Sequence, residues 1–461
     1  MGTSSTAQLR AHLDEVRSHI RKDVQNLAEL EAYQAAVHDE LIRVASFPIL
    51  SLPAEITSAI FVHCLPNQDE PTDADSDVVQ LVLLHVCKTW ARIALDTPQL
   101  WSFLRINVDL IPPGWVMDLI VGAWFRRRLI ELDLSGTLQK FMQPLVKNAP
   151  KVSALTLRSR AVDVQDLVAA QLDFQQLHEL SISRQHFEDG ATVDLNALIA
   201  RAPKLGVLHI DGIPPSAFAA AQHQLTDLRC YCYTPLQVLE VVRQFPNLLR
   251  LDARVAIVDQ SDDDDDADYE VVTHPNLTHL RLDDADTLCY LTLPCLQALE
   301  TIELPAEALS ALLERSESPP LRQLRMYPDP ASEDFISVFL TLAHLASLDL
   351  RFPSTEFTRL FFKQLSVDTH FLRALRDLRL EWHESVPSQI GLVFAVDLIG
   401  PAVVKRNALQ DVQPLESLKL VARVQSPWTS FRIHEEMLAT YRELKREGVD
   451  VYLGTTSESY V

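Results

Sequence analysis

The sequence predicts an α/β chain in three parts: a heptad helix at residues 1–46, a small helical domain at 47–104 and a long repeat array at 105–461. Three observations support this. Apolar residues recur in steps of seven near the start, a Leu-Pro pair then opens a short helical pattern, and a six-residue leucine motif recurs about twelve times in the remainder. A chain of 461 residues is too long for one ordinary core, so several domains or an elongated array are expected.

The first part has the spacing of a coiled-coil helix. Within residues 7–45, two columns that start at Leu9 and Leu13 and advance in sevens hold eleven positions, of which nine are apolar. The two polar exceptions, Asp23 and Gln34, would weaken the pairing and help to specify its register. Two interpretations stay open: self-association of two chains through this helix, or an antiparallel return onto the chain's own next domain.

The second part contains an apolar face that is too large for its domain to cover. The stretch "LPAEITSAIFVHCLP" places Leu52, Ile56, Ile60 and Phe61 on one side of a short helix that begins near Pro53. A short acidic segment and a second helical pattern, "VVQLVLLHVCKTWARIALDTPQLW", follow. Three helices of this size bury little core, so we expect another surface to cover this face.

These motifs resemble an F-box of the kind abundant in mushroom-forming fungi, where a heptad helix also precedes the F-box. The "LPAEI" opening, "VCKTW" and "TPQLW" carry the resemblance. It implies a Skp-type adaptor as the partner that covers the apolar face. The adaptor-binding residues that it implies are Leu52, Pro53, Ile56, Ile60, Phe61, Val86 and Trp90. For Trp90 and Trp101 we expect the internal core, with the interface as the alternative.

The third part repeats a Leu-x-x-Leu-x-Leu-like hexad, as in "LIELDL" at residue 129, "LTHLRL" at 277 and "LRDLRL" at 375. Between hexads lie helical patterns that end in a proline step, such as "LEVVRQFPNLLRL". The pattern resembles an irregular leucine-rich-repeat solenoid, with parallel strands and helices on the outer side. It lacks the Asn or Cys that follows each hexad in that family, so the repeats are degenerate.

The exposed residue in the middle of each hexad forms a predicted row across neighbouring strands. From Arg229 to Arg379 its charge alternates at every step, with Glu303 taken as the acidic member between Arg281 and Arg325. One interpretation is a self-neutralising ion ladder, since parallel strands lie about 4.8 Å apart. The other is a surface that binds an acidic or phosphorylated target. The candidate target-binding residues are Arg229, Arg281, Arg325, Arg379, Tyr231, Tyr327 and Trp382.

Charge argues against nucleic acid as a partner, because a net charge of −22 repels phosphate. Part of this charge is concentrated in residues 259–270, where Asp262 to Asp266 stand in a row. We expect a solvated loop there. A calcium site is disfavoured because no glycine permits the sharp turn of a calcium loop.

The composition excludes several other classes. No apolar run reaches the roughly 18 to 20 residues of a membrane span, and the polar N-terminus is unlike a secretory signal. The six cysteines form no Cys-x-x-Cys pair, which predicts no zinc site and reduced thiols in the cytoplasm or nucleus. No Gly-rich phosphate loop or Gly-x-Ser-x-Gly elbow occurs, so we expect no enzyme and no cofactor.

The resemblance to F-box proteins implies a substrate-receptor subunit of a cullin–RING ubiquitin ligase. The resemblance implies that the F-box docks the adaptor while the solenoid holds a target protein. Two alternatives remain open: a repeat scaffold that recruits no ligase, and a coiled-coil assembly protein.

Overall fold

The computed structural model describes residues 52–65, 79–101, 103–108, 130–183, 193–255, 269–302, 304–327, 334–351, 353–383, 389–423, 435–455 and 459–461, together with isolated positions between 16 and 37. The chain divides into two compact units, Met1–Trp101 and Ser102–Val461.

Most of the predicted heptad helix lies outside the described residues. The isolated positions that are described are helical, and their large apolar side chains are exposed. These exposed side chains are Val16, Leu27, Leu30, Tyr33 and Val37. Pairing of the helix stays a prediction.

Within its described residues from 52 to 101, the first unit contains three short helices and a closing turn. Helix α1 spans Ala54–His63, α2 spans Val79–Val86, α3 spans Lys88–Asp96, and a 3-10 turn covers Pro98–Trp101. Pro53 stands at the N-cap of α1 with an extended backbone, which suits a residue that has no N–H to donate. Cys87 caps α3, since its Sγ accepts the backbone N–H of Trp90 at 3.5 Å.

The second unit is built on one parallel sheet of 14 strands among the residues that the structure describes. The strands β1 to β7 are Phe103–Asn107, Ile130–Ser135, Val152–Arg158, Glu179–Ile182, Val207–Asp211, Asp227–Tyr233 and Arg250–Val255. The sheet continues with β9 His279–Leu282, β11 Ala298–Thr301, β12 Gln323–Met326, β13 Ser347–Arg351, β14 Asp377–His383, β15 Ser417–Arg423 and β16 Asp450–Thr455. Two short strands, β8 Val272–Thr273 and β10 Leu291–Thr292, pair with each other.

Helices connect most of these strands. They are α4 Met142–Asn148, α5 Ala161–Ala169, α6 Asn196–Ile199, α7 Pro235–Gln244, α8 Ala285–Leu288, α9 Ala306–Arg315, α10 Phe335–Thr341, α11 Thr355–Leu365, α12 Gln389–Asn407 and α13 Glu435–Arg446. The predicted order of helix, proline step and strand is confirmed where α7 ends before Pro246 and β7 follows. The predicted class, a helical domain followed by a repetitive α/β sheet, is also confirmed.

The hexad leucines form the core of this sheet because alternate residues of a strand point to opposite faces. Leu280, Leu299 and Leu324 stand in register on successive strands and are buried. The residues that follow them stand in register on the other face, which we call the ladder face.

One hexad was misplaced by the sequence pattern. The strand register pairs Glu300 with both Arg281 and Arg325, and Glu303 itself lies outside the described residues. The motif "LETIEL" starts three residues too late, because Leu296 and Leu299 are the first and fourth positions of the hexad and both enter the core. The expectation for Glu303 was therefore wrong, and Glu300 is the acidic member of the row.

Helix α12 is fastened to the preceding repeat by a buried guanidinium. Arg406 Nη2 donates to the carbonyl oxygens of Leu372 at 2.8 Å and Leu375 at 3.2 Å. Burial lowers the pKa of Arg406 to about 10. Carbonyl oxygens from two segments, including that of Gln413 at 3.4 Å, therefore solvate this buried cation in place of water.

The described residues contain neither a candidate membrane span nor a candidate metal cluster. No described helix combines the length and apolar character that crossing a membrane requires. Within the same residues, His, Cys, Asp and Glu do not gather in a group suited to a metal ion.

Candidate functional site

An exposed apolar pair lies on α1. Ile56 and Ile60 are four residues apart, so they share one side of the helix, and they are 50% and 38% exposed. Large aliphatic side chains on neighbouring turns are costly to leave in water. This face is open, as a docking surface requires.

A second exposed apolar pair lies on α2. Val82 and Val86 have the same spacing and are 46% and 52% exposed. Val86 was predicted from the sequence, whereas Val82 was missed. The four-residue spacing from Val86 was the signal that could have identified Val82.

Aromatic packing and hydrogen bonds stabilise the interior of this unit. Phe61 is buried, and its ring centre lies 4.9 Å from that of Trp90. The indole N–H of Trp101 donates to the Ala94 carbonyl at 2.8 Å, and Thr97 Oγ1 donates to Ser58 Oγ at 2.7 Å. The unit therefore has a core of its own beneath the exposed pairs.

A ladder of alternating charge crosses the second unit. In register from β6 to β14 stand Arg229, Asp252, Arg281, Glu300, Arg325, Asp349 and Arg379. We call these seven residues the ladder row.

The inner arginines of the ladder row each contact two carboxylates. Arg281 Nε lies 3.7 Å from Asp252 and 3.5 Å from Glu300. Arg325 Nε donates to Asp349 at 2.6 Å, and its Nη1 lies 3.4 Å from Glu300. Burial acts to lower the pKa of Arg325, but the hydrogen bonds and charges of Asp349 and Glu300 outweigh it and raise the pKa.

The ladder row continues into a buried carboxylate on β14. Glu381 is fully buried and accepts from Arg379 Nη2 at 3.0 Å, while Arg423 Nε lies 2.5 Å from its other oxygen. Two guanidiniums thus compensate one carboxylate that water does not reach, which makes this end of the row an internal ion network.

Within the described part of the chain, the ladder row has an unpaired arginine at its opposite end, on β6. Arg229 is exposed and makes no ion pair with any residue that the structure describes. Its other neighbour is His209, whose pKa is lowered by burial and by the charge of Arg229. Asp252 is the neighbour of Arg229 on β7, and burial raises the pKa of its carboxyl group.

An open groove follows the ladder row. Its volume is about 460 Å³, and its floor and walls come from β6 to β13, including Arg229, Asp252, Arg281 and Ala298. Four arginines and four carboxylates line this groove, so its charge is balanced although the chain as a whole is acidic.

Comparison with known families bears on the first unit. Residues 49–107 match the F-box-like family model. The chain carries an F-box-like domain. No curated protein matches the chain.

The structure divides the predicted adaptor-binding residues of the F-box-like domain into two groups. Pro53, Ile56, Ile60 and Val86 are exposed. Leu52 and Trp90 are half-buried, and Phe61 is buried against Trp90. The exposed members and Val82 are therefore the side chains that a partner can reach without unfolding the domain.

The predicted target-binding arginines share the ladder row. Arg281, Arg325 and Arg379 are engaged with carboxylates, and Arg229 lies at the groove's exposed end.

The predicted aromatic residues do not all lie with these arginines. Tyr231 and Tyr327 lie two residues after Arg229 and Arg325, so they share the ladder face. Trp382 lies three residues after Arg379, and strand alternation therefore places it on the leucine face, in register with Ala422. The structure does not bring Trp382 to the groove.

Proposed function

We propose that this protein is the substrate-receptor subunit of a cullin–RING ubiquitin ligase. The F-box-like domain docks a Skp-type adaptor, and the repeat domain, which we interpret as a degenerate leucine-rich repeat, holds the target protein. The chain contributes proximity rather than bond chemistry, because tethering raises the local concentration of target lysines near the loaded enzyme. The match to the F-box-like family supports the recruitment step.

The observation that carries the proposal is the exposure of Ile56, Ile60, Val82 and Val86 on a domain whose own core is complete. Each such side chain stabilises a complex by roughly 1.5 to 3 kcal/mol when it is fully buried. Four of them offset an association cost of at least several kcal/mol. A partner with a complementary apolar groove is the cover that this surface requires.

The test is capture of the adaptor by the purified full chain. Ile56→Asp with Val86→Asp should abolish capture, because a carboxylate buried without a partner is strongly disfavoured. The matched control places the same charges on exposed helix positions of the repeat domain, Val146→Asp with Val404→Asp. Undiminished capture by the first variant, with its fold intact by circular dichroism, would overturn the proposal.

A second function, self-association through the N-terminal helix, is favoured by one observation. The described seam positions Val16, Leu27, Leu30 and Val37 are exposed, although all four are apolar. A second copy of the helix would bury them in heptad register. The adaptor proposal does not depend on this association, since the two apolar surfaces lie in different segments.

A further inference from the structure

A second row of side chains runs along the ladder face, two residues beyond the ladder row on each strand. It contains two matching pairs in which an arginine lies over a tyrosine of the preceding strand. Arg254 Cζ lies 4.9 Å from the ring centre of Tyr231, and Arg351 Cζ lies 5.5 Å from that of Tyr327. We call Tyr231, Arg254, Ile302, Tyr327 and Arg351 the Tyr–Arg row; directly after β9, between Arg254 and Ile302, the corresponding position is Asp283.

Among the described residues, the arginines of the Tyr–Arg row are not paired with carboxylates as those of the ladder row are, and the charge of Arg254 acts on Asp252 only from beyond ion-pair distance. Among the residues that the structure describes, neither Arg254 nor Arg351 makes an ion pair with a carboxylate. The carboxylates nearest in register have other partners. Asp283 accepts the backbone N–H of Val255 at 2.7 Å, and Glu381 is held by Arg379 and Arg423.

Each of these guanidiniums is also held in place. Stacking on a tyrosine ring orients the planar group, and Arg351 Nη1 donates to the Tyr327 hydroxyl at 2.9 Å. An arginine that is already ordered loses less conformational entropy when it binds a carboxylate. Tyrosine and arginine are the residue types that contribute most to protein interfaces.

The spacing of the row specifies what it can bind. Four strand-to-strand steps separate Arg254 on β7 from Arg351 on β13, which at about 4.8 Å per step is about 19 Å. Ile302 is exposed and lies one residue beyond β11, two steps from each arginine, or about 10 Å. A peptide in the extended polyproline II conformation advances about 3.1 Å per residue with three residues per turn, so its side chains at i, i+3 and i+6 share one face and match the spacing of the row.

We propose that the Tyr–Arg row binds an extended acidic segment of a partner protein. The segment carries carboxylate side chains at positions i and i+6, which pair with Arg254 and Arg351, and an apolar side chain at i+3, which contacts Ile302. This inference rests on the proposed function and deepens it, since it names the chemistry of the target. It also relocates recognition, because the arginines of the ladder row are occupied by their own carboxylates.

The test uses a fluorescent peptide with Glu at i and i+6, Leu at i+3 and Ser, Thr and Gly elsewhere. It is titrated into the full chain and followed by fluorescence anisotropy. A peptide of the same composition with Glu at i and i+4 should bind about tenfold more weakly, because it reaches only one arginine at a time. Arg254→Ala with Arg351→Ala should weaken binding of the first peptide by about tenfold. The matched control Arg359→Ala with Arg442→Ala removes two charges from helices and should leave binding unchanged.

Several outcomes would overturn the inference. These are no binding of the first peptide, equal binding of the two spacings, equal loss in the helix control, and binding only when phosphoserine replaces the Glu residues. If the double variant unfolds, the single variant Arg254→Ala serves the same comparison, because Arg254 is exposed and makes no ion pair with a described residue. Adaptor capture by these variants should stay unchanged. If the full chain captures the adaptor but does not bind the peptide, this inference alone is wrong. If it binds the peptide but does not capture the adaptor, the proposed function is wrong.

Discussion

The Nε of Arg325 donates a 2.6 Å hydrogen bond to Asp349 on the next strand, while its Nη1 lies 3.4 Å from Glu300 on the strand before. One guanidinium therefore bridges three parallel strands. Both carboxylates are largely shielded from water, so this arrangement stabilises the sheet rather than presenting a free cation.

Replacing Arg325 should consequently destabilise the repeat domain. We expect Arg325→Ala to lower the free energy of unfolding by about 2 kcal/mol, because two partly buried carboxylates lose their donor. Urea denaturation measures this loss. The control Arg359→Ala breaks an exposed helix pair and should change stability by less than about 0.5 kcal/mol. Equal midpoints for the two variants would show that the ladder row is not structural.

Neighbouring positions on α1 should separate folding from docking. Phe61→Ser should unfold the F-box-like domain, because it removes a buried ring from Trp90 at a cost of about 3 kcal/mol or more. Ile60→Ser should leave the fold intact and still weaken adaptor capture, since Ile60 is exposed. Near-ultraviolet circular dichroism and adaptor capture are the two measurements. Loss of the fold in Ile60→Ser would contradict this division.

The buried guanidinium of Arg406 should be essential to the end of α12. Arg406→Met removes the guanidinium donor from the carbonyls of Leu372, Leu375 and Gln413 and should cost about 3 kcal/mol. Arg446→Met, at an exposed position of α13, is the matched control and should be nearly neutral. Thermal unfolding compares the two. A neutral result for Arg406→Met would mean that water replaces the guanidinium at no cost.

His209 should make stability fall in mild acid. Burial and the charge of Arg229 lower its pKa in the folded state below 6.5, the ordinary value that it recovers on unfolding. The unfolded chain therefore binds more protons below pH 6.5, and the contribution is complete above that pH and lost as the pH falls through the lowered pKa.

His209→Gln should accordingly reduce the difference in unfolding free energy between about pH 7.5 and pH 5.5, by about 0.5 kcal/mol. Urea denaturation at the two pH values measures the difference. His370→Gln, in an exposed turn, is the control and should leave it unchanged. If the free energy of unfolding of His209→Gln has the same pH dependence as that of the unmodified chain, His209 is not the group responsible.

The N-terminal helix should determine the oligomeric state. Removing residues 1 to 45 should roughly halve the molar mass found by light scattering. The exposed seam residues that pair two copies of the helix are removed with this segment. Adaptor capture should survive this truncation. An unchanged mass would exclude pairing through the helix and leave the return onto the same chain as the alternative.

The sequence pattern predicted much of the architecture. Hexad leucines with proline steps between them identified parallel strands and helices. In a strand that is buried on one face, apolar and polar residues alternate with a period of two, whereas in a helix the apolar residues recur every three to four positions. The same alternation could have excluded Trp382 from the ladder face. The "LETIEL" hexad shows the limit of this reasoning: two overlapping leucine patterns fit equally well, and only the register with β9 and β12 identified Glu300.

The sequence by itself therefore determined the order of parts, the leucine core and the alternating charges, since each depends on local periodicity. Only the tertiary structure decided which of these groups are free to act. Exposure and pairing depend on neighbours that are distant in sequence. Phe61 packs on Trp90 while Ile56 stays exposed, and carboxylates on adjacent strands pair with Arg325 while no described carboxylate forms an ion pair with Arg254.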